Sequence, residues 1–330
     1  MIDNKTIKIA TIGMIILLAG CTGEEINSGT GITLKNELST ELMQPGGSVL
    51  LRTSINNFFD RELINAQAKL TRSFGELEAN PSDTAFVGTV QANPNATART
   101  QWTLDVSETA SSGTEFTNKI RLCFNYNQTS WHEIVLVNSF ETESEVNSGE
   151  DSGPLKISFA GIDTPFPYNE QIKSQIPITV SIKNDYTGFV GRLGLSRDEI
   201  PNITYIEMRF YDKDGGPGLG YVSNGSPFGA NLKEGTNFEI IKQFTNPSCD
   251  KKTSGCMNCD NSLWDETNGY FKCYAQNISV FGDETFIGTK LNVTKLDVEE
   301  LIEKVEVLIS YDYCIESEDF MITVFTPGGR

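Results

Sequence analysis

The sequence predicts an all-β protein built as two tandem β-sandwiches, the second carrying a long cysteine-containing insertion and one short helix. Two observations lead to this prediction. Segments rich in β-branched and aromatic residues recur between polar turns. The order of these segments is also similar in the two halves of the chain. A length of 330 residues fits two domains of ordinary size.

The composition argues against several classes of function before any motif is considered. Hydrophobic residues make up 38% of the chain, enough for a packed core. Asp and Glu number 44 against 26 Lys and Arg, which gives a formal net charge of −18. Such a chain repels phosphate backbones, so we expect no nucleic-acid partner. The single histidine argues against most catalytic triads and histidine-rich metal sites.

The first twenty residues read as an export signal. Lys5 and Lys8 precede the apolar run 9–18, which is too short to span a bilayer as a helix. The following Leu18-Ala19-Gly20-Cys21 resembles the lipobox of secreted lipoproteins. That resemblance implies removal of residues 1–20 and lipidation of Cys21, with the protein held on the outer face of the cell membrane. A plain secretory signal and an uncleaved anchor are the alternatives.

Two polar stretches divide the remaining chain. Residues 21–31 are Gly-rich and polar, as expected of a lipidated tether. Residues 141–153 hold five acids and no base, and we interpret them as an acidic linker. The predicted domains are therefore 32–140 and 154–330.

The strands of the first domain are predicted at residues 48–55, 63–71, 86–90, 98–106, 120–126 and 133–137. Three of them have counterparts in the second domain. Residues 176–182 match the segment at 48–55 with an offset of 127. Residues 307–313 and 320–324 match the last two segments with an offset of 187. These matches indicate an internal repeat whose second copy is longer by 60 residues.

One short helix is predicted at Val298–Val305. Its apolar residues recur at i, i+3, i+4 and i+7.

Four segments of the first half resemble the CARDB-type Ig-like modules of prokaryotic surface proteins. They are Ile55-Asn56-Asn57, the segment 64–70, Trp102-Thr103-Leu104 and Phe124-Asn125-Tyr126. The similarity covers residues 32–140 and extends loosely to 154–330. It implies Ig-like sandwiches with adhesion, spacing or display roles, and it supplies no catalytic residues. The Cys…Trp…Cys spacing of antibody domains is absent from both halves.

The extra residues of the second half are expected near 212–290, a stretch rich in turn signals and cysteines. Excluding Cys21, six cysteines remain, and an even number in an exported chain favours disulfides. We expect at least two bridges among Cys249, Cys256, Cys259 and Cys273. Cys123 and Cys314 lie in matching strands, as buried free thiols or with Cys314 paired into the insertion. Zinc held by the four insertion cysteines and a redox role for Cys256-x2-Cys259 are the weaker alternatives.

Three further patterns are candidates for binding. Asp212-x-Asp214 resembles part of a calcium loop but lacks its third ligand, so an ordinary turn is the competing interpretation and no cofactor is predicted. The aromatic residues Trp264, Tyr270, Phe271 and Tyr274 could contact a sugar or a protein, or form a small core of their own. His132 is interpreted as an exposed or packed turn residue rather than a catalytic base.

Six Asn-x-Ser/Thr sequons are candidate glycosylation sites: Asn95, Asn127, Asn202, Asn224, Asn277 and Asn292.

These patterns lead to two functional predictions. The first is a non-enzymatic, lipid-anchored surface glycoprotein with a structural, adhesive or display role, whose insertion contacts an unknown surface protein or glycan. The alternative is a surface lipoprotein that binds calcium or a glycan through residues 212–290. Excision of 212–290 is expected to abolish partner binding and leave the first domain folded.

Overall fold

Every regular element that the structure describes is a β-strand. The structure is a computed structural model, and it describes residues 31–72, 77–92, 97–137, 144–168, 175–193, 202–212, 238–241, 264–265, 270–279, 284–293 and 299–326. The strands of the first half are β1 (Ile32–Leu38), β2 (Leu42–Met43), β3 (Ser48–Asn57), β4 (Leu63–Arg72), β5 (Leu77–Asn80), β6 (Thr84–Val90), β7 (Thr97–Val106) and β8 (Glu115–Val137).

The strands of the second half follow a similar order. They are β9 (Ser148–Glu150), β10 (Leu155–Ala160), β11 (Phe166–Pro167), β12 (Gln175–Asn184), β13 (Phe189–Val190), β14 (Asn202–Asp212), β15 (Phe238–Ile241), β16 (Trp264–Asp265), β17 (Tyr270–Ser279), β18 (Glu284–Val293), β19 (Glu300–Glu316) and β20 (Phe320–Val324).

The described strands form three sheets. One four-stranded sheet has the order β1-β3-β7-β5, and a second has the matching order β10-β12-β18-β15. The third sheet has twelve strands and runs through both halves along the path β16-β17-β14-β19-β8-β20-β2. Each half therefore consists of one four-stranded sheet and three main strands of the shared sheet. These three strands are β6-β4-β8 in the first half and β17-β14-β19 in the second. The predicted all-β class with tandem Ig-like β-sandwiches is confirmed.

Alternating burial explains why the predicted segments form strands. Along β3 and the middle of β8, every second side chain is buried, as expected where one sheet face covers a core. The buried apolar residues of all three sheets join in one continuous core. Its largest fully buried side chains include Trp102, Tyr126, Tyr311 and Tyr313.

The internal repeat is visible in one local motif. Asn57 accepts a hydrogen bond from the amide of Phe59 (3.1 Å) and donates one to the carbonyl of Arg61 (2.8 Å). The residues 127 positions later do the same: Asn184 accepts from the amide of Tyr186 (3.5 Å) and donates to the carbonyl of Gly188 (2.9 Å). Asparagine is suited to this turn because its side chain bonds the backbone two residues on. The two halves therefore follow one plan.

The halves meet along the strands β8 and β19, which we call the seam. These strands pair antiparallel over the full 17 residues of β19, from Glu300 opposite Val137 to Glu316 opposite Arg121. At the centre Asn125 lies opposite Asp312, and these two residues are related by the repeat offset of 187. Equivalent residues can face each other in an antiparallel pair only on a twofold axis. The repeat is therefore pseudo-symmetric about this point.

The last strand of each half pairs with a strand of the other half. The end of β8, residues 133–137, pairs with the start of β19, residues 300–304. The strand β20 returns to the first half and pairs with residues 115–118 of β8. Residues 133–137 and 320–324 are the matched last strands of the repeat, so the exchange is reciprocal.

The predicted helix at Val298–Val305 is wrong for the residues that the structure describes. Residues 300–305 begin the strand β19, in which Glu303, Val305, Val307 and Ile309 alternate as buried residues. The apolar spacing matches a helix, but pairing with β8 and β14 overrides this local preference and makes the segment a strand.

The boundaries inside the chain differ from those predicted. Within the predicted linker, residues 148–150 form β9 and pair with residues 130–132 of β8. The predicted insertion 212–290 contains β17 and most of β18, which pair with the core strands β14 and β12. Residues 31–330 form one compact unit. The strand exchange joins the two predicted domains into this single unit, and composition does not reveal such an exchange.

Candidate functional site

The structure describes only some of the predicted site residues. Residues 1–20, Cys21, Asp214, Cys249, Cys256, Cys259, Asn95 and Asn224 lie outside the described residues. For Asp212, Trp264, Tyr270, Phe271, Asn202 and Asn292, the structure describes the backbone and not the side chain. These sites remain predictions from the sequence.

Cys123 and Cys314 form a disulfide across the seam. They lie directly opposite each other in β8 and β19, with Cα atoms 4.1 Å apart. The expectation that they are free thiols, or that Cys314 pairs into the insertion, is therefore wrong. Matching strands of a pseudo-symmetric pair lie side by side, which the sequence does not reveal. Cys273 is buried and disulfide-bonded, as expected for the insertion cysteines.

The pseudo-symmetry assigns a partner position to this disulfide. Adding or subtracting the offset of 187 converts Cys123 and Cys314 into Ser310 and Asn127. In that pair, the hydroxyl of Ser310 donates a hydrogen bond of 2.6 Å to the side-chain oxygen of Asn127. The seam is therefore covalent on one side of the axis and hydrogen-bonded on the other.

Buried tyrosines line the core side of the seam. Tyr126 and Tyr311 lie edge-to-face with ring centroids 6.0 Å apart, and burial raises the pKa of both phenols. Each hydroxyl has a partner: Tyr126 donates to the carbonyl of Ser152 (2.7 Å) and Tyr311 to the side chain of Gln128 (2.8 Å). These bonds offset the cost of burying the two hydroxyl groups, since a buried hydroxyl without a partner is costly.

Acidic residues of the predicted linker join this network. Asp151 pairs with Arg61 of the first half at 2.5 Å. Glu150, at the end of β9, accepts a hydrogen bond of 2.5 Å from the amide of Ile157. Burial is the main cause that raises the pKa of Glu150, and the nearby carboxylates of Asp151 and Asp185 add to it.

The outward face of the seam carries a groove of about 300 Å³ next to the pseudo-twofold axis. We call it the axis groove. Three segments of the first half and two of the second form its lining, which consists of Asn65, Gln67, Phe86, Cys123, Phe124, Asn125, Arg192, Leu193 and Asp312. Sequence reasoning missed this site because its residues are far apart in the chain and form no local motif.

The predicted aromatic contact residues are partly integrated into the sheet. Trp264 lies opposite Phe271 in the β16–β17 pair. Tyr274 is half-buried and stacks on Tyr205 with ring centroids 6.2 Å apart. For Tyr274, the alternative of a packing role is the one that this contact favours.

His132 is packed, as one of the two interpretations expected, but it lies in a strand and not in a turn. It lies inside β8, its ring contacts Phe159 at 5.5 Å, and its Nδ1 is 2.8 Å from the carbonyl oxygen of Glu133.

Two candidate glycosylation residues have described side chains. Asn277 is exposed on β17 with φ of 51°, whereas Asn127 is half-buried and bonded to Ser310. Asn277 is therefore the more accessible of the two.

Among the described residues, no three His, Cys, Asp or Glu side chains lie close enough to hold a metal ion. Within the same residues, no helix has the length and apolar character needed to span a membrane.

Comparison with known proteins assigns no family to the chain. No family model and no curated protein matches it. Among solved structures, the sporulation control protein Spo0M from Bacillus subtilis has 7% identity over 48% of this chain and 69% of its own, with a TM-score of 0.19. The major pilin subunit of Bacillus cereus has 13% identity over 77% and 58%, with a TM-score of 0.21. The collagen adhesin of S. aureus has 10% identity over 90% and 93%, with a TM-score of 0.18. At these identities and TM-scores, none of the three assigns a function.

Proposed function

We propose that this chain is an exported, lipid-anchored surface protein with a structural, adhesive or display role and no catalytic activity. The Cys123–Cys314 disulfide carries the proposal, because disulfides form and persist mainly in oxidising compartments outside the cytosol. The lipobox-like Leu18-Ala19-Gly20-Cys21 adds the means of anchoring.

The seam supports a role that needs a stiff body. A flexible linker would let two domains rotate freely, whereas the exchanged strands and the disulfide join these halves through one sheet. A protein built in this way holds a contact surface at a fixed position. We place that surface in the region 212–290 of the second half, which the tether at 21–31 would lift from the membrane.

The first test is the intact mass of the protein purified from its own membranes under denaturing, non-reducing conditions. We expect a chain that begins at lipid-modified Cys21 and lacks the thiol hydrogens of Cys123 and Cys314. The Cys21→Ser variant is the control and should lose the lipid and the membrane association. A chain that still begins at Met1, or one with all thiols retained, would contradict the proposal.

The position on the cell is tested separately. A membrane-impermeant amine reagent applied to intact cells should label the lysines of this protein, and a cytosolic marker protein should stay unlabelled. Labelling only after cell lysis would place the protein inside the cell and overturn the surface role.

The alternative function, binding of calcium or a glycan through residues 212–290, predicts a melting temperature that rises with the ligand. For calcium, the wild type should gain stability in millimolar CaCl₂ and Asp212→Asn with Asp214→Asn should not. An equal response of both proteins would remove the calcium alternative.

A further inference from the structure

The axis groove has the location and size of a ligand site. Odd-numbered residues of β8 around Asn125 point away from the core, since the even-numbered ones are buried. The groove therefore opens on the outer face of the twelve-stranded sheet, where both halves contribute side chains. Its volume of about 300 Å³ is at the lower end for small-molecule pockets, which suits one or two sugar rings.

One wall of the groove is an exposed aromatic ring. Phe86 is 72% exposed, the highest value among the exposed large hydrophobic residues of the described chain. It lies directly opposite Gln67 in the β4–β6 pair, and the neighbouring Gly88 has no side chain to cover the ring. An uncovered phenyl face beside polar groups is the arrangement on which the apolar face of a pyranose can stack.

The other walls are polar. Asn65 donates a hydrogen bond of 2.9 Å to Asn125, and Asn125 donates to a carboxylate oxygen of Asp312. Each bond leaves further oxygen or nitrogen positions of these side chains available to a ligand. Within the described part of the chain, the side chains of Gln67 and Arg192 have no hydrogen-bond or ion-pair partner. The groove thus offers both donors and acceptors.

The site is also rigid before any ligand arrives. Cys123 of the seam disulfide forms part of its floor. Asn65 lies in an irregular part of the β4–β8 pair and has φ of 53°, a left-handed conformation that Asn tolerates better than most residues. Irregularities of this kind re-aim side chains and are frequent next to binding sites.

We propose that the axis groove binds a saccharide, with Phe86 stacking on a sugar ring and Asn65, Gln67, Asn125, Asp312 and Arg192 bonding its hydroxyl groups. A sugar matches this surface because it combines vicinal hydroxyls with an apolar ring face. One carboxylate and one guanidinium leave the groove near electrical balance, which favours a neutral ligand. This inference depends on the groove alone and is independent of the lipid anchor.

The test is saturation-transfer NMR of the full-length protein in detergent with glucose, galactose, mannose, N-acetylglucosamine and their disaccharides. We expect saturable binding of at least one of these sugars. Phe86→Ala should weaken that binding at least tenfold and Gln67→Ala severalfold. Phe286→Ala is the matched control, because Phe286 is also exposed (58%) and is not among the groove residues.

Several outcomes would overturn the inference. They are no saturable binding of any sugar, binding that Phe86→Ala leaves unchanged, and an equal loss in Phe286→Ala. Glycine and glutamate serve as competitors, and displacement of the sugar by either would assign the groove to a zwitterionic or acidic ligand instead. Phe86→Ala and Phe286→Ala both change exposed side chains, so the melting temperature of each variant should stay within about 2 °C of the wild type.

Discussion

The two halves of this chain share a backbone plan and differ at equivalent side chains. Across the pseudo-twofold axis, the disulfide Cys123–Cys314 corresponds to the hydrogen-bonded pair Asn127–Ser310. Gln67 of the axis groove corresponds to Tyr205, since both lie opposite equivalent residues of the seam. The side of the axis that holds Cys123 and Gln67 therefore has a covalent bond across the seam and an open groove. In the second half, Tyr205 and Tyr274 stack on each other near the equivalent position.

This difference shows which backbone features both halves keep and which side chains differ between them. The strand exchange and the Asn turns need the same geometry twice, so both halves keep them. Side chains on the outer face of the sheet do not hold the core together. Those positions could therefore diverge into a groove on one side and a packed aromatic pair on the other.

The largest predicted effect tests the exchange itself. Ile322 of β20 is fully buried, whereas Met321 beside it is 46% exposed. Ile322→Asp places a charge in the core and should cost about 4 kcal/mol or more, while Met321→Asp should cost under about 0.5 kcal/mol. Hydrogen exchange should then accelerate in β3, β4 and the first part of β8. Acceleration confined to the second half would break the assignment of β20 to the first.

The seam pairs can be compared next. Cys123→Ala with Cys314→Ala opens a bridge between residues 191 positions apart and should lower the free energy of unfolding by about 3–5 kcal/mol. Asn127→Ala with Ser310→Ala removes one hydrogen bond and should cost about 1 kcal/mol. Urea denaturation measures both. Equal losses in the free energy of unfolding would show that the two sides of the seam contribute equally, and would contradict this prediction.

A third comparison uses the position at which the Asn turn ends. A Cβ on Gly188 would lie 2.3 Å from the carbonyl oxygen of Cys314, so Gly188→Ala should cost about 1–3 kcal/mol. The equivalent Arg61 carries a half-exposed salt bridge with Asp151, and Arg61→Ala should cost about 1 kcal/mol or less. Thermal unfolding distinguishes them. A neutral Gly188→Ala would mean that β13 does not pack closely on β19.

The smallest effect concerns pH. Burial raises the pKa of Glu150 in the folded protein, so the protonated form favours folding. Its contribution to stability is present below the unfolded-state pKa and is lost as pH rises through the folded-state pKa. Because Glu150 is exposed, solvent screens much of this effect, and Glu150→Gln should raise the melting temperature at pH 7 by only about 1 °C or less and lose that advantage near pH 4. An advantage that persists unchanged at pH 4 would contradict the assigned cause.

The sequence predicted the strands well where alternation was strong. The predicted segments at 48–55, 63–71, 98–106 and 320–324 agree with β3, β4, β7 and β20 within a few residues. Local patterns are sufficient there because each strand has one buried face. The prediction at 300–305 failed because the spacing of the apolar residues matches a helix, and pairing with the neighbouring strands overrides that local pattern.

The candidate sites were harder to predict because they depend on long-range pairing. The Asn57 and Asn184 turns could be aligned from the sequence, and their common offset already indicated the repeat. Nothing in that alignment tells whether equivalent strands lie in separate sheets or face each other across an axis. The Cys123–Cys314 bridge and the axis groove both require the second arrangement.

The reciprocal exchange also determines when each half can finish folding during synthesis of the chain. Residues 133–137 emerge long before residues 300–304, their partners in the sheet. The first half likewise waits for β20, the last strand of the described chain. Until then, both nascent halves present unpaired strand edges, which are prone to aggregation. Folding therefore depends on β20, and a message truncated shortly before residue 320 would yield two unfinished halves instead of one finished domain.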